Sequence, residues 1–318
     1  MAQSPFATGG KLGWFRLEGN RRRGARLRHA MPPRLDPLMS DPPWAGPPGF
    51  GIGLRRIDPG AWLEGGEARP WRRKDALLKR VPGRVWGEVV GSRPGQAEAA
   101  GLVASALDVR ISGPDLPPLL RAARRIPDDL VLMERRDGDW SVTALSLCAG
   151  SFFTADEALG RSLAELHGPV PGFVDILLLR VRRIFDNLPP DTVVERRNWT
   201  VTPLGDLHAP DAAAARARAA RQRPGASGRG LFLRCERQTL RRLPRTGGVL
   251  FTIRIHKTPL RSLALQPSAL AAFARAWAEA PPDFRRYKGL SAVSGGVEAF
   301  LQASLPDIVT NPVQDIAP

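Results

Sequence analysis

The four histidines are the side chains whose chemistry depends most on where the fold places them. His167 ends a predicted amphipathic helix, and the Gly-Pro-Val-Pro-Gly run at 168–172 restricts the backbone that follows. A neutral imidazole held at such a rigid corner is a suitable axial ligand for a haem iron. The same position also suits a histidine that caps the last carbonyls of its helix, and position alone favours that structural role. His29 lies in a basic run and His208 precedes Pro210, so both are predicted to be exposed and inert.

Strand alternation sorts the charged residues into faces, because successive side chains of a strand point to opposite sides. In the predicted strand 248–256, Arg254 and His256 share a face that is polar at one end, so Arg254 could project into a pocket. In the predicted strand 192–202, one face carries Val193, Glu195, Arg197, Trp199 and Val201, and the other carries Arg196, Asn198 and Thr200.

A third predicted strand begins near residue 230 and places Arg234 and Glu236 on the same face as Phe232. An arginine and a glutamate together on a sheet are most often a solvated ion pair. Close to an iron, such a pair could instead polarise bound oxygen and hold a protonated amine. The residues alone leave both interpretations open.

Several common site motifs are absent from the sequence. It contains no GxGxxG, Walker A, HExxH or GxSxG pattern, so a nucleotide or flavin site is not indicated. Cys148 and Cys235 lie in apolar runs without a CxxC pair, which predicts two buried, reduced thiols and no iron–sulfur or zinc centre. No apolar run approaches the roughly 20 residues that cross a bilayer, and no secretory signal is visible. We therefore expect a cytoplasmic protein with no membrane partner.

The net charge of +16 and the isoelectric point near 11.3 raise the possibility of nucleic-acid binding. We disfavour it, because arginine far outnumbers lysine and Ala, Pro and Gly are frequent, a mixture typical of a coding bias. The excess charge also lies partly in the tails and one linker. The prediction is no nucleic-acid partner.

The predicted elements give an α+β fold, a mainly antiparallel sheet with helices packed to one side. Asp137-Gly138 between the β-rich runs 129–135 and 140–148 predicts a hairpin. Asp58-Pro59 predicts a helix start. Helices are further predicted over 71–79, 96–107, 116–124, 154–167, 174–188, 211–223 and 267–279.

The predicted domain organisation has three parts. Residues 1–47 form an irregular arm rich in Arg, Gly and Pro, although Trp14, Phe15 and Trp44 indicate that it packs on the body. Residues 48–290 form the domain, and residues 291–318 form a C-terminal tail that packs on it.

At these segments the chain resembles the haem-binding α subunit of haem-dependent oxidative N-demethylase and its uncharacterised relatives. The longest matching stretch is 236–247 (ERQTLRRLPRTG) running into 250–254 (LFTIR). The shorter ones, in the expected order, are 53–58 with Trp62-Leu63, 130–135 with Trp140, 166–172, and 197–199. Together they span about residues 48–290.

The resemblance implies a PAS-like haem pocket in which haem b and O2 oxidise a small secondary methylamine. Electrons would come from a separate flavin and iron–sulfur reductase that uses NADPH. His167 is implied as the axial ligand, with Pro169, Asn198, Trp199 and Arg234 as further cofactor-binding residues. Arg197, Arg237 and Arg254 are implied as groups that polarise oxygen or pair with the haem propionates, and Glu236 as the group that binds the substrate ammonium.

The sequence departs from the family pattern at two places. Residues 151–156 (SFFTAD) stand where a Phe-Pro-Ser-Arg-Trp-like stretch is expected, and Ile255-His256 stands where Thr-Tyr is expected. If His256 lines the distal pocket, it is a rival haem ligand and changes the acid–base character of the pocket. A haem-binding PAS domain that senses gas or redox state without turnover is the main alternative function.

Overall fold

The computed structural model describes residues 41–305 except 47, 66–68, 112–114, 169 and 222–226. These residues belong to one compact unit, Pro37–Pro318. His29 and most of the predicted arm therefore lie outside the described residues. Trp44, near the end of that arm, is buried, and its indole nitrogen donates a hydrogen bond to the carbonyl oxygen of Ala269 at 2.9 Å.

A seven-stranded sheet organises the chain, with the strand order β1-β5-β6-β7-β3-β4-β2 and antiparallel pairing throughout. The sheet with its flanking helices confirms the α+β prediction. The strands are β1 (Arg55–Ile57), β2 (Trp86–Glu88), β3 (Asp129–Arg136), β4 (Asp139–Ser146), β5 (Val193–Thr202), β6 (Phe232–Arg242) and β7 (Val249–Pro259).

The helices connect and cover these strands. They are α1 (Pro70–Arg80), α2 (Pro82–Val85), α3 (Arg93–Ala106), α4 (Pro118–Ala123), α5 (Ala155–Ala158), α6 (Leu163–His167), α7 (Leu178–Asn187), α8 (Ala212–Arg221), α9 (Pro267–Glu279), α10 (Pro282–Tyr287) and α11 (Ser294–Ser304). Short 3₁₀ turns occupy Pro59–Ala61, Leu260–Leu265 and Leu290–Val293. In the part of the chain described, no helix is long and apolar enough to cross a membrane.

The register divides the sheet into two faces. The first face carries Arg197, Arg237 and Arg254, which are paired across β5, β6 and β7. The second face carries Asn198, Glu236 and Ile255 of the same strands, also paired. Alternation within each strand extends these two sets along the sheet.

Helices pack on both faces, which corrects the prediction that they lie to one side. On the first face, one hydrophobic cluster packs Trp199 against α9 and α11, and another packs Leu250 against α3 and α4. On the second face, a third cluster packs α5, α6 and α7 against Val131 and Leu240. A sheet with two covered faces explains why so many strand residues are apolar.

The predicted Asp137-Gly138 hairpin is confirmed, and both residues have a positive φ, 51° and 84°. Two adjacent residues with positive φ match the twist of the flanking strands. The predicted helix 154–167 is wrong in its middle. It breaks at Gly160, whose φ is 77°, and the bridge between Ser162 and Ser141 separates α5 from α6.

Other boundaries shift as well. The predicted helix at Asp58 is only a 3₁₀ turn, in which the Asp58 side chain accepts a hydrogen bond from the Gly60 amide. The predicted helix 174–188 begins as a π-helical turn, Phe173–Leu177, before α7. Strands β1 and β2 were not predicted, because each has three residues and shows no alternation over a longer run.

Candidate functional site

The candidate residues fall on opposite faces of the sheet and do not share one site. Arg197, Trp199, Arg237, Arg254 and His256 lie on the first face. Asn198, Arg234 and Glu236 lie on the second face, towards α6 and α7. Pro169 lies outside the described residues.

Arg237 binds the loop formed by residues 61–65, which lies against the first face. It is 4% exposed and pairs with Glu195, which is 2% exposed, and also with Glu64 at 3.1 Å. Its terminal nitrogens donate to the carbonyl oxygens of Trp62 and Ala61 at 2.8 and 2.7 Å. Every arm of this guanidinium is therefore occupied by protein groups.

Arg254 and His256 hold the same loop at residues 64 and 65. Arg254 pairs with buried Asp128 at 2.7 Å and donates to the carbonyl oxygens of Glu64 and Gly65. The Nε2 atom of His256 lies 3.0 Å from a carboxylate oxygen of Glu64. These contacts give both side chains a structural function on the face opposite to His167.

Arg197 and Trp199 are also part of the first-face packing. The Nε atom of Arg197 donates to Glu195 at 3.0 Å, and its Nη1 atom donates to the Asp41 carbonyl oxygen at 2.6 Å. The Trp199 ring makes an edge contact with Phe273 at 5.6 Å between centroids. Trp199 is therefore part of the core below α9, and both residues lie on the face opposite to α6.

His167 ends α6 with its ring fixed on two sides. Its Nδ1 atom lies 3.0 Å from the Leu163 carbonyl oxygen, which can only accept, so Nδ1 carries the proton. The ring stacks on Phe173 at 4.2 Å between centroids and 12° between planes. Nε2 is then the unprotonated nitrogen, and no hydrogen-bond partner for it is found among the described residues.

The protonation of His167 suits a ligand. Burial, with a smaller contribution from Arg196, lowers the pKa of His167 below its ordinary value. The imidazole is therefore neutral at pH 7. The contact with Leu163 is the helix-capping contact that position alone favoured, and it also sets the tautomer that leaves Nε2 available.

Glu236 lies at the centre of a polar network on the second face. One carboxylate oxygen accepts from Arg234 at 3.2 Å, and the other accepts from Gln238 at 2.7 Å and Asn198 at 3.4 Å. Burial alone would raise its pKa, but Arg234 and Lys288 hold the pKa of Glu236 below its ordinary value. Glu236 is therefore ionised and acts only as an acceptor.

We infer an opening between the second face and the segment that carries His167. Side chains in the middle of this face are only half-buried, as are several on that segment, and the apolar ones among them pack against the same hydrophobic cluster. On the sheet they are Val194, Arg196, Asn198, Glu236, Gln238, Phe251, Ile253 and Ile255. On the helical side they are Leu166, His167, Val170 and Leu177. We call this opening the crevice.

Sequence analysis missed three residues of this site. Arg196 is paired with Gln238 across β5 and β6, beside the Glu236 network, and its charge contributes to the lowered pKa of His167. Lys288, after α10, donates from Nζ to the Asn198 side chain at 2.6 Å. Phe173 holds the His167 ring. Alternation had placed Arg196 opposite to Arg197, and that signal could have identified it.

Two other hollows lie outside the crevice. A cleft of about 820 Å³ borders the Asp137-Gly138 turn, where Arg135 pairs with Asp186 at 2.7 Å. A cavity of about 140 Å³ lies beside Arg254 and His256. Neither contains His167 or Glu236.

The remaining side chains that could bind a metal, two cysteines and His208, are buried or half-buried. Both cysteines are buried and free, as predicted, and burial raises the pKa of Cys148 to about 11. His208 is half-buried, which corrects the prediction that it is exposed, and burial lowers its pKa. Among the described residues, no group of three or more His, Cys, Asp or Glu side chains could hold a metal ion.

Comparison with protein families gives one match to most of the chain. The family model described as haem-dependent oxidative N-demethylase, alpha subunit-like, matches residues 97–297. The matched range contains β3 to β7 and the whole segment from His167 to Phe173. It therefore includes both walls of the crevice.

Proposed function

Because the chain belongs to the haem-dependent oxidative N-demethylase, alpha subunit-like family, we propose that it binds haem b in the crevice through His167. The reaction we propose is oxidative N-demethylation of a small secondary methylamine with O2. One observation carries the assignment: Nδ1 of His167 is bound to the Leu163 carbonyl oxygen, while Nε2 has no hydrogen-bond partner among the described residues and lies within a crevice of half-buried side chains.

The chemistry of the crevice residues supports this proposal. An axial histidine commonly donates its second ring nitrogen to a carbonyl oxygen, which fixes the tautomer and the ring plane. Phe173 adds a second restraint by stacking on the ring. Phe251, Ile253 and Val194 supply an apolar surface near His167, and the polar network around Glu236 lies further along the same face.

When bound, the haem iron supplies the O2 activation that removal of an N-methyl group requires. The chain supplies the positioning. His167 presents a neutral nitrogen, Glu236 presents an ionised carboxylate to a substrate ammonium, and Asn198 and Gln238 hold that carboxylate in place. The overall reaction consumes O2, two electrons and two protons, and releases formaldehyde, the demethylated amine and water.

The electron supply belongs to another protein in this proposal. The family is named for an alpha subunit, which supports a partner subunit. A reductase with flavin and iron–sulfur centres, fed by NADPH, is the partner class that we propose. No nucleic acid takes part in this function.

The first test replaces His167 and then restores the missing ligand. We expect the wild-type protein reconstituted with haem to show a Soret band that shifts on reduction and again with CO. His167→Gly should lose most haem occupancy, and added imidazole should restore the spectrum, because free imidazole can occupy the space of the deleted ring.

His256→Gln is the matched control, since it removes the rival histidine on the first face. It should retain the wild-type spectrum. An unchanged spectrum in the His167→Gly variant, or its loss in His256→Gln, would contradict the assignment of the ligand. Formaldehyde release from dimethylamine with O2 and a surrogate reductase then separates the enzyme from a sensor that binds haem without turnover.

A further inference from the structure

The polar end of the crevice contains more positive than negative charge. Lys288 contacts Asn198, Arg234 contacts Glu236, and Arg196 is paired with Gln238, so three cations lie around neighbouring positions of β5 and β6. The charges of Arg196 and Arg234 contribute to the lowered pKa of Lys288. Glu236 is the carboxylate that attracts both Arg196 and Lys288. Among the residues that the structure describes, three cations therefore face one anion, Glu236, at this place.

Glu236 cannot neutralise this excess. Its two oxygens already accept from Arg234, Gln238 and Asn198. Lys288 donates to the neutral oxygen of Asn198, and burial lowers the Lys288 pKa to about 8. Burial is also the main reason that the pKa of Arg196 is lowered. Both cations have lost water without gaining a direct ion pair in return.

Two arginines have donors that the protein leaves unused. Arg234 is 3% exposed, and its Nε and Nη1 atoms have no hydrogen-bond partner among the described residues. No side-chain hydrogen bond or ion pair of Arg196 is found in the same part of the chain, although its neighbour Arg197 makes three contacts. The Nη2 atom of Arg234 is satisfied by Glu236 and by the Ala149 carbonyl oxygen, but buried guanidinium donors without an acceptor cost free energy unless a ligand supplies one.

We infer that the cationic end of the crevice, formed by Arg196, Arg234 and Lys288, binds a carboxylate group of a ligand. A carboxylate matches the planar donors of an arginine and supplies the missing negative charge. Two sources have this chemistry: a haem propionate, or the carboxylate of a substrate such as an N-methyl amino acid. Both sources rest on the proposed function, whereas the carboxylate site itself does not.

The test compares Arg196→Gln with Arg197→Gln, which removes the adjacent arginine from the other face. The first arm measures the affinity for haemin and for its dimethyl ester, in which both propionates are blocked. If a propionate is the ligand, the wild-type protein should prefer haemin at least tenfold, and Arg196→Gln should lose that preference. Arg197→Gln should keep it.

The second arm uses the haem-loaded protein with N-methylglycine and dimethylamine, with binding read from the shift of the Soret band. If a substrate carboxylate is the ligand, the wild-type protein should bind N-methylglycine at least tenfold more tightly. Arg196→Gln should abolish the difference, and Arg196→Lys should restore part of it.

The third arm is independent of haem and uses the apoprotein with glutarate as the carboxylate probe. Glutarate should raise the melting temperature of the wild type above that in sodium chloride of equal ionic strength, but not that of Arg196→Gln. If glutarate raises the melting temperature but the protein binds no haem in the other arms, the carboxylate site is supported and the proposed function is excluded. If Arg196→Gln matches the wild type in all three arms, the carboxylate site is wrong.

Discussion

At the scale of single residues, adjacent positions in one strand have opposite environments. Arg197 contacts Glu195 and Asp41 on the first face, whereas Arg196 lies half-buried beside the crevice. Alternation along β5 is sufficient to predict this separation from the sequence. Alternation could not predict which face of the sheet is covered by a loop. The loop that covers Arg237 and Arg254 has no periodic pattern in the sequence.

The buried carboxylate of Glu195 should be a centre of stability. Glu195→Gln leaves Arg237, Arg55 and Arg197 without their shared anion, so we expect a loss of roughly 3–5 kcal/mol in the free energy of unfolding. Urea denaturation measures this loss. Glu88→Gln, which breaks the more exposed pair with Arg93, should cost less than about 1 kcal/mol. Equal losses would show that burial does not govern these ion pairs.

At the scale of elements, the turn between α6 and α7 sets the geometry of His167. Gly172 has a φ of 68° and precedes the π-helical turn that positions Phe173 against the imidazole. The Gly-Pro-Val-Pro-Gly pattern predicted the end of the helix at His167, which the structure confirms. It did not predict the π turn, since the apolar spacing of 174–188 also fits an ordinary helix.

Gly172→Ala tests how firmly this turn is fixed. A Cβ atom there would meet the Ile176 side chain at 3.2 Å, and the left-handed backbone adds strain. We expect a loss of about 1–2 kcal/mol in the free energy of unfolding. Gly101→Ala, in α3 with open space around the new Cβ, should instead stabilise by up to about 1 kcal/mol. A thermal melt of each variant should show a lower melting temperature for Gly172→Ala and a higher one for Gly101→Ala than for the wild type.

At the scale of the whole molecule, one hydrophobic cluster contains residues from the predicted arm, domain and tail. Trp44, before residue 48, and Phe300, after residue 290, are buried in the same hydrophobic cluster on the first face. Sequence analysis had expected the first, because a tryptophan in a Pro- and Gly-rich stretch indicated that the arm packs on the body. The second lies in α11, a helix that sequence analysis assigned to a tail.

Truncation should show whether the domain needs the helix α11 in order to fold. A chain ending at residue 290 loses Val297 and Phe300 and should not melt cooperatively, unlike the full chain. Trp44→Ala should lower the free energy of unfolding by about 3–5 kcal/mol. Circular dichroism against temperature measures both. Cooperative melting of the shorter chain at the full-length temperature would restore the boundary at 290.

Strand β7 links the two sides of the molecule. Arg254 and His256 anchor the loop at 62–65 on the first face, while Ile253 and Ile255 form part of the crevice on the second. Inserting or deleting one residue exchanges these two sets of side chains, since their period is two. In a library of variants, β7 should therefore tolerate apolar exchanges at 253 and 255 but reject every single-residue insertion or deletion between 250 and 256. Natural variation in this chain would then change the crevice by substitution, while the length of the strand stays fixed.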